Sequence, residues 1–144
     1  MELKFISLSG HLPSYATDGA SGMDLRAFTD EPITLAPMER RLIPTGLFLQ
    51  IPDGYEGQVR ARSGLAIEQG IGLVNSIGTI DSDYRGELKI PLINFGSEDF
   101  TINNGDRVAQ LVIAAYERVE PVIVTELDET DRGEGGFGHT GVKE

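Results

Sequence analysis

The chain has 144 residues, 40% of them hydrophobic and 24% charged, with no cysteine and a net charge of -11. That balance fits a single folded domain with a sizeable core and excludes disulfides, thiol chemistry and transmembrane runs. It also argues against general nucleic-acid binding, which needs a broad basic surface. An anionic ligand must therefore be met by a local cluster of the few arginines or by a metal ion. Met1–Ser9 lacks the charged start, long apolar core and cleavage site of a signal peptide, so a cytoplasmic location is the default expectation.

In chain order, Leu3–Leu8 reads as an opening strand, and His11–Ala20 is turn-rich. In Ser21–Ala27 the apolar Met23, Leu25 and Ala27 alternate with Asp24 and Arg26, the period of a half-buried strand. Ile33 with Leu35, and Leu42 with Ile43, suggest short strands around Pro37, and Gly46–Ile51 suggests another. Pro52-Asp53-Gly54 is a turn signal. Gln58–Arg62 alternates again, and Ser63–Gln69 is the one stretch with helix-like spacing, with Ser63 suited to cap it. Strands are expected at Glu87–Ile93, Phe100–Ile102, Arg107–Ala115 and Val119–Val124. With 18 Gly and 7 Pro and turn signals every ~8–12 residues, the pattern predicts an all-β sandwich or barrel. Residues 1–127 form the expected domain; residues 128–144 are acidic and glycine-rich, too poor in apolar side chains to order alone.

The chain is organised around Asn75–Gly86, NSIGTIDSDYRG, entered through Ile71, Leu73 and Val74 and left through Leu88, Ile90, Leu92 and Ile93. It reads as a glycine-flanked β-hairpin. Asp81 and Asp83, two apart, share a face of an extended chain, which puts Tyr84 on the other face unless the chain turns there. The plain alternative is an ordinary hairpin whose aspartates hold the turn.

The tail stretch Gly133–Thr140 nearly fits the phosphate-binding loop G-x-x-x-x-G-K-[ST], with His139 at the lysine position. That fold needs a strand before the loop and a helix after it, and the sequence ends four residues beyond Thr140. The glycines still let backbone N–H groups wrap an anion, Arg132 is a phosphate contact in waiting and Phe137 is a stacking face. A ligand-dependent lid is favoured over a solubilising tail. Arg60-Ala61-Arg62-Ser63-Gly64 sets two arginines before a helix start, suited to phosphate or simply exposed. Asp24 suits a turn or a metal ion, and Gln110 is either outward-facing strand surface or a ligand contact. His11 and His139 make no zinc set, and no serine has a histidine partner at a recognisable spacing.

Five stretches in this order, PSYATDGASGMDLRA (Pro13–Ala27), RARSGLA (Arg60–Ala66), NSIGTIDSDYRG, GDRVAQLVI (Gly105–Ile113) and RGEGGFGHTG (Arg132–Gly141), resemble the homotrimeric, all-β deoxyuridine triphosphate nucleotidohydrolases, the dUTPases. Ala61 stands where the family often has proline, and His139 where it often has serine.

The resemblance implies a distorted jelly-roll or β-barrel of the β-clip kind, with one short helix and a flexible tail that closes over the site. It implies hydrolysis of dUTP to dUMP and pyrophosphate with Mg²⁺, with Asp81 as the base that activates the attacking water. Tyr84 would pack under the deoxyribose and exclude a 2′-hydroxyl. Asn75, with the backbone around Gly72 to Gly78, would pair with the uracil edge, and Thr79, Ile80 and Lys89 would also bind the substrate. Arg62, Ser63, Gly64 and Gln110 would hold phosphates, and Asp24 would hold magnesium through water. From the tail, Phe137 would stack on uracil, and Arg132, Gly138, His139 and Thr140 would complete the site. It further implies a homotrimer whose sites are shared between subunits, with neither nucleic acid nor membrane as partner. The rival readings are a dCTP deaminase on the same fold, a non-catalytic dUTP-binding trimer, and a purely structural trimerisation module.

Overall fold

In each long strand apolar residues at alternate positions turn inward, and the computed structural model, which describes residues 1–137, stacks these faces into one core. The strands are β1 (Lys4–Ser7), β2 (Ser14–Tyr15), β3 (Gly22–Arg26), β4 (Ile33–Leu35), β5 (Arg40–Gln50) and β6 (Tyr55–Arg60). The helix α1 (Ser63–Gln69) comes next, then β7 (Ile71–Leu73), β8 (Ile77–Ile80), β9 (Glu87–Asn94), β10 (Phe100–Ile102) and β11 (Arg107–Ala115). They form a four-stranded sheet in the order β1-β5-β9-β7, a five-stranded sheet in the order β2-β3-β11-β6-β8, and a β10-β4 ribbon. All the pairings are antiparallel. The all-β, jelly-roll-like expectation holds.

Leu25, Ile43, Ile71, Ile90, Leu92 and Leu111, all essentially inaccessible, sit in this core. Burial of each such side chain stabilises the fold by about 1.5–3 kcal/mol. Among the described residues Thr45 and Asn94 are the buried polar exceptions, and Asn94 is the more fully enclosed. Its amide donates to the carbonyls of Leu35 (2.9 Å) and Glu98 (2.7 Å), and its side-chain oxygen accepts from the Gly96 N–H (2.8 Å). The end of β9 is thereby pinned to β4 and to the loop that follows.

Several boundaries differ from expectation, each for a local reason. Leu42–Ile43 and Gly46–Gln50 belong to one strand, β5, which runs through Pro44 because the irregularity there is satisfied from β9, and Ile51 lies just past its end. The Thr45 hydroxyl donates to the Leu88 carbonyl, and the Gly46 N–H donates to Glu87 Oε1 (3.0 Å). β6 spans Tyr55–Arg60 rather than Gln58–Arg62. Ser63 does not cap α1; Arg62 occupies the cap position with extended backbone and no side-chain hydrogen bond, so the Ser63 hydroxyl is left exposed.

Asn75–Gly86 is not a hairpin of paired strands. β7 pairs with β9, whereas β8 pairs with β6 in the other sheet, and the chain changes sheets through Val74–Ser76, with Ser76 at φ 62. Residues 119–124, expected as a strand, join neither sheet, and Val119, Val122, Ile123 and Val124 are exposed. An apolar run needs a neighbouring strand edge to become β-structure, and none reaches it in this chain. From residue 128 to 137 the chain forms only local turns, with Gly133 N–H donating to the Thr130 carbonyl (3.0 Å).

Candidate functional site

Two groups of side chains form, one where β8 of the five-stranded sheet meets β9 and β5 of the four-stranded sheet, the other on the outer face of the five-stranded sheet. The first follows from a turn. After β8 the Tyr84 N–H donates to the Asp81 carbonyl at 3.1 Å, so the chain reverses and Tyr84 comes back to the side of Asp81. Thr79, Ile80, Asp81, Tyr84 and Lys89 then line one open cleft of about 360 Å³ with Leu42, Glu87 and Leu88, a volume within the range of small-ligand sites. Asp83 is not in this cleft. It lines a neighbouring depression with Glu56 and Tyr116, to which Asp81 also contributes, so Asp81 stands between the two hollows and shares one of them with Asp83. Lys89 Nζ lies 3.4 Å from Glu87 Oε2.

Asn75 and Gly78 lie toward the opposite end of β8. A Cβ on Gly78 would stand 3.4 Å from Asn75 Nδ2 and 3.3 Å from the Val59 Cβ, so glycine lets the amide sit close to the strand.

The second group follows from register. Asp24 of β3 is opposite Gln110 of β11, and Gln110 is opposite Arg60 of β6. Their apolar neighbours Met23, Leu25, Val59 and Leu111 face the core, so this row faces outward. Arg62 folds back over it. Its Nε is 3.4 Å from Asp24 Oδ1, its Nη1 donates to the Arg107 carbonyl (3.0 Å), and Arg107 Nη1 reaches Asp24 Oδ2 at 3.2 Å. Gln110 Nε2 donates to the Ala61 carbonyl (2.9 Å) and so ties the segment leading to Ser63 and Gly64 to β11. Gly22 is needed here for space, since a Cβ would overlap Gln110 Oε1. Two guanidiniums on one carboxylate leave a local positive excess in an acidic chain, which suits an anion.

Arg62, Gln110 and Asp24 are thus brought together as anticipated, with Ser63 and Gly64 exposed at the adjoining helix start. Arg132 and Phe137 join neither group. Arg132 Nε donates to the Gly135 carbonyl (2.7 Å) within its own turn, and Phe137 is fully exposed. Gly138, His139 and Thr140 lie outside the described residues. Arg107, Leu42, Glu87 and Leu88 were not anticipated. Arg107 lies 83 residues from Asp24, and only the β3–β11 pairing joins them.

Within one chain the two groups do not meet. From β8 through β6 and β11 to β3 is three strand spacings, and Asp81 lies beyond Ile80 while Asp24 is level with Ile77. At ~4.8 Å per strand and ~3.3 Å per residue, Asp81 and Asp24 are on the order of 20 Å apart.

An all-β, jelly-roll-like chain with an acid–tyrosine cleft and a distant carboxylate–arginine–glutamine row defines a protein built to handle a phosphorylated ligand. The family model described as dUTPase matches residues 9–141, and the chain belongs to the dUTPase family. It is 58% identical over 142 residues to the deoxyuridine 5'-triphosphate nucleotidohydrolase of Finegoldia magna, covering 98% of this chain and 99% of that protein. It is 62% identical over 130 residues to that of an Anaeromyxobacter species, covering 90% and 87%. The dUTPase of Staphylococcus bacteriophage 80alpha, solved with dUPNHPP, superposes with a TM-score of 0.88 at 27% identity, over 98% of this chain and 99% of that one. Among the described residues no helix is long and apolar enough to cross a membrane.

Proposed function

We propose that the protein hydrolyses dUTP to dUMP and pyrophosphate in sites shared between the copies of a homotrimer. The observation that carries this reading is the separation of the two groups. A base must lie within hydrogen-bond reach of the water it activates, and that water must lie beside the phosphorus attacked. In one chain Gln110 is level with Ile77, at the end of β8 away from Asp81, and it holds the segment that carries Arg62 at that same end. A nucleoside laid along β8 has its base at the Asn75–Gly78 end and its sugar at Tyr84. Its phosphates then leave past Asp81, where a neighbouring copy supplies Arg62, Ser63, Gly64 and Gln110.

In this reading the backbone of Gly78, Thr79 and Ile80, with Asn75 and Lys89, meets the uracil edge. Groups fitted to uracil are left unpaired by cytosine, a large penalty. Asp81 takes a proton from water as the water oxygen bonds to the α-phosphorus, and the bond to the bridging oxygen breaks with its electron pair leaving on pyrophosphate. Arg62 and Gln110 hold the phosphate oxygens. The tail, residues 128–144, supplies Arg132, Phe137, Gly138, His139 and Thr140 as a lid.

Magnesium fits the donor set. Among the described residues no group of three or more His, Cys, Asp or Glu side chains is placed to enclose a cation. Asp24 alone stands in the phosphate-side row, and Mg²⁺ is characteristically held by one or two carboxylates, waters and substrate phosphates. Asp24 would hold it through water, and when bound it neutralises charge on the phosphates.

The test is pyrophosphate release from dUTP, dCTP, dTTP and UTP, with Mg²⁺ and with chelator. Rapid release from dUTP alone, slowed by chelator, is the expected result. Silence on every nucleotide from a protein that still binds dUTP assigns it to the non-catalytic binding class.

A further inference from the structure

The residue after next from Tyr84 is a glycine whose backbone has no need to be one. Gly86 is absent from the glycines with positive φ, so any L-residue could adopt its conformation. What it lacks is room. A Cβ built on Gly86 would stand 2.6 Å from Tyr84 Cζ and 2.9 Å from Cε2, and would overlap the Tyr84 hydroxyl. The ring folds back over the Gly86 backbone, and its hydroxyl donates to the Glu87 carbonyl at 3.0 Å. Arg85 holds the main chain beneath it, with Nη1 donating to the carbonyls of Ser82 (2.7 Å) and Tyr84 (2.8 Å). With the turn closed at both ends, the remaining freedom belongs to the Tyr84 side chain, and the Gly86 gap and the Glu87 carbonyl remove it.

We propose that Gly86 determines sugar specificity: the space above its α-carbon lets the Tyr84 ring lie flat and tethered at one height in the cleft beside Asp81. The inference rests on the reading of this cleft as the deoxyribose site and adds a second residue to it. A methyl group at position 86 levers the hydroxyl off the Glu87 carbonyl and frees the ring. The surface that meets C2′ of the sugar is then no longer fixed, and rejection of a 2′-hydroxyl weakens. Gly86 is a positioning residue; it reaches the substrate only through Tyr84.

The experiment compares kcat and KM for dUTP and UTP in the full chain, in Gly86→Ala, in Tyr84→Phe, and in Tyr84→Ala with and without Gly86→Ala. Gly86→Ala is expected to lower the dUTP-to-UTP ratio of kcat/KM at least about tenfold, with the dUTP loss falling more on KM than on kcat. Tyr84→Phe removes only the tether and is expected to lower the ratio by less. In the Tyr84→Ala background Gly86→Ala is expected to change the ratio no further, as for two residues acting as one unit.

An unchanged ratio in Gly86→Ala, or an undiminished additional loss in the Tyr84→Ala background, overturns the proposal. Should Gly86→Ala fail to fold, Tyr84→Phe decides, since a wild-type ratio there overturns the tether. A wild-type protein with no preference for dUTP over UTP overturns instead the sugar-site reading on which the proposal rests.

Discussion

The Tyr84 N–H donates to the Asp81 carbonyl, and this one turn places an acid and an aromatic ring in the same cleft, although an extended chain would not put them on one face. Asp81 and Glu87, but not Asp83, are the carboxylates that line the cleft, and Glu87 is engaged by Lys89 and by the Gly46 N–H. Asp81→Asn keeps the shape and the hydrogen-bonding reach but cannot take a proton. Turnover of dUTP is expected to fall about 10²–10⁴-fold with the dissociation constant for dUTP little changed, as read by single-turnover kinetics and calorimetry. Asp83→Asn is expected to leave both near wild type. The opposite pattern would move the base role to Asp83.

Arg107 reaches Asp24 from across the sheet and is nearly half exposed. Arg107→Ala removes one of two guanidiniums from a carboxylate and contributes no core packing. In the proposed reading charge-assisted contacts hold the phosphates, so kcat/KM for dUTP is expected to drop about tenfold, a change of ~1.4 kcal/mol, while thermal denaturation is barely displaced. A large loss of melting temperature with activity intact would make Arg107 a purely structural residue.

The described tail residues touch neither polar group, so removing the tail should not disturb the sheets. Deletion of Arg132–Glu144 is expected to leave the circular-dichroism spectrum and the molecular mass of the assembly in line with the full chain, and dUTP turnover nearly abolished. Full turnover by the shortened protein would end the lid reading.

Asn94 tests the fold apart from the site. Asn94→Ala strands the Leu35 and Glu98 carbonyls and the Gly96 N–H, and the expected cost is about 2–4 kcal/mol in denaturant unfolding. A cost below about 0.5 kcal/mol would mean that water or a neighbouring group replaces the amide, leaving no buried donor or acceptor unsatisfied.

Much of this was legible in the residues because alternation and turn chemistry act locally. Met23, Leu25 and Ala27 against Asp24 and Arg26 announce β3, and Glu87–Ile93 and Arg107–Ala115 announce their strands almost to the residue. What the residues hid depends on contacts far apart in the chain. Pro44 looks like a break, yet β9 supplies Glu87 to satisfy the Gly46 N–H and β5 continues. Val119–Val124 has strand composition without a strand edge in this chain. The site divides in the same way. Arg62, Gln110 and Asp24 were each nameable, but their meeting is a matter of β3–β11–β6 register, and the clamp by Arg107 follows from that register alone.

The central claim, that one site is built from separate copies, is tested most directly by mixing two inactive proteins. Subunits carrying Asp81→Asn and subunits carrying Arg62→Ala are refolded together in equal amounts. If cleft and phosphate row come from different copies, chance pairing regenerates intact sites, and about a quarter of wild-type dUTP turnover is expected. Turnover no greater than that of the two proteins measured separately, in a verified mixed trimer, would mean that each site is completed within one chain.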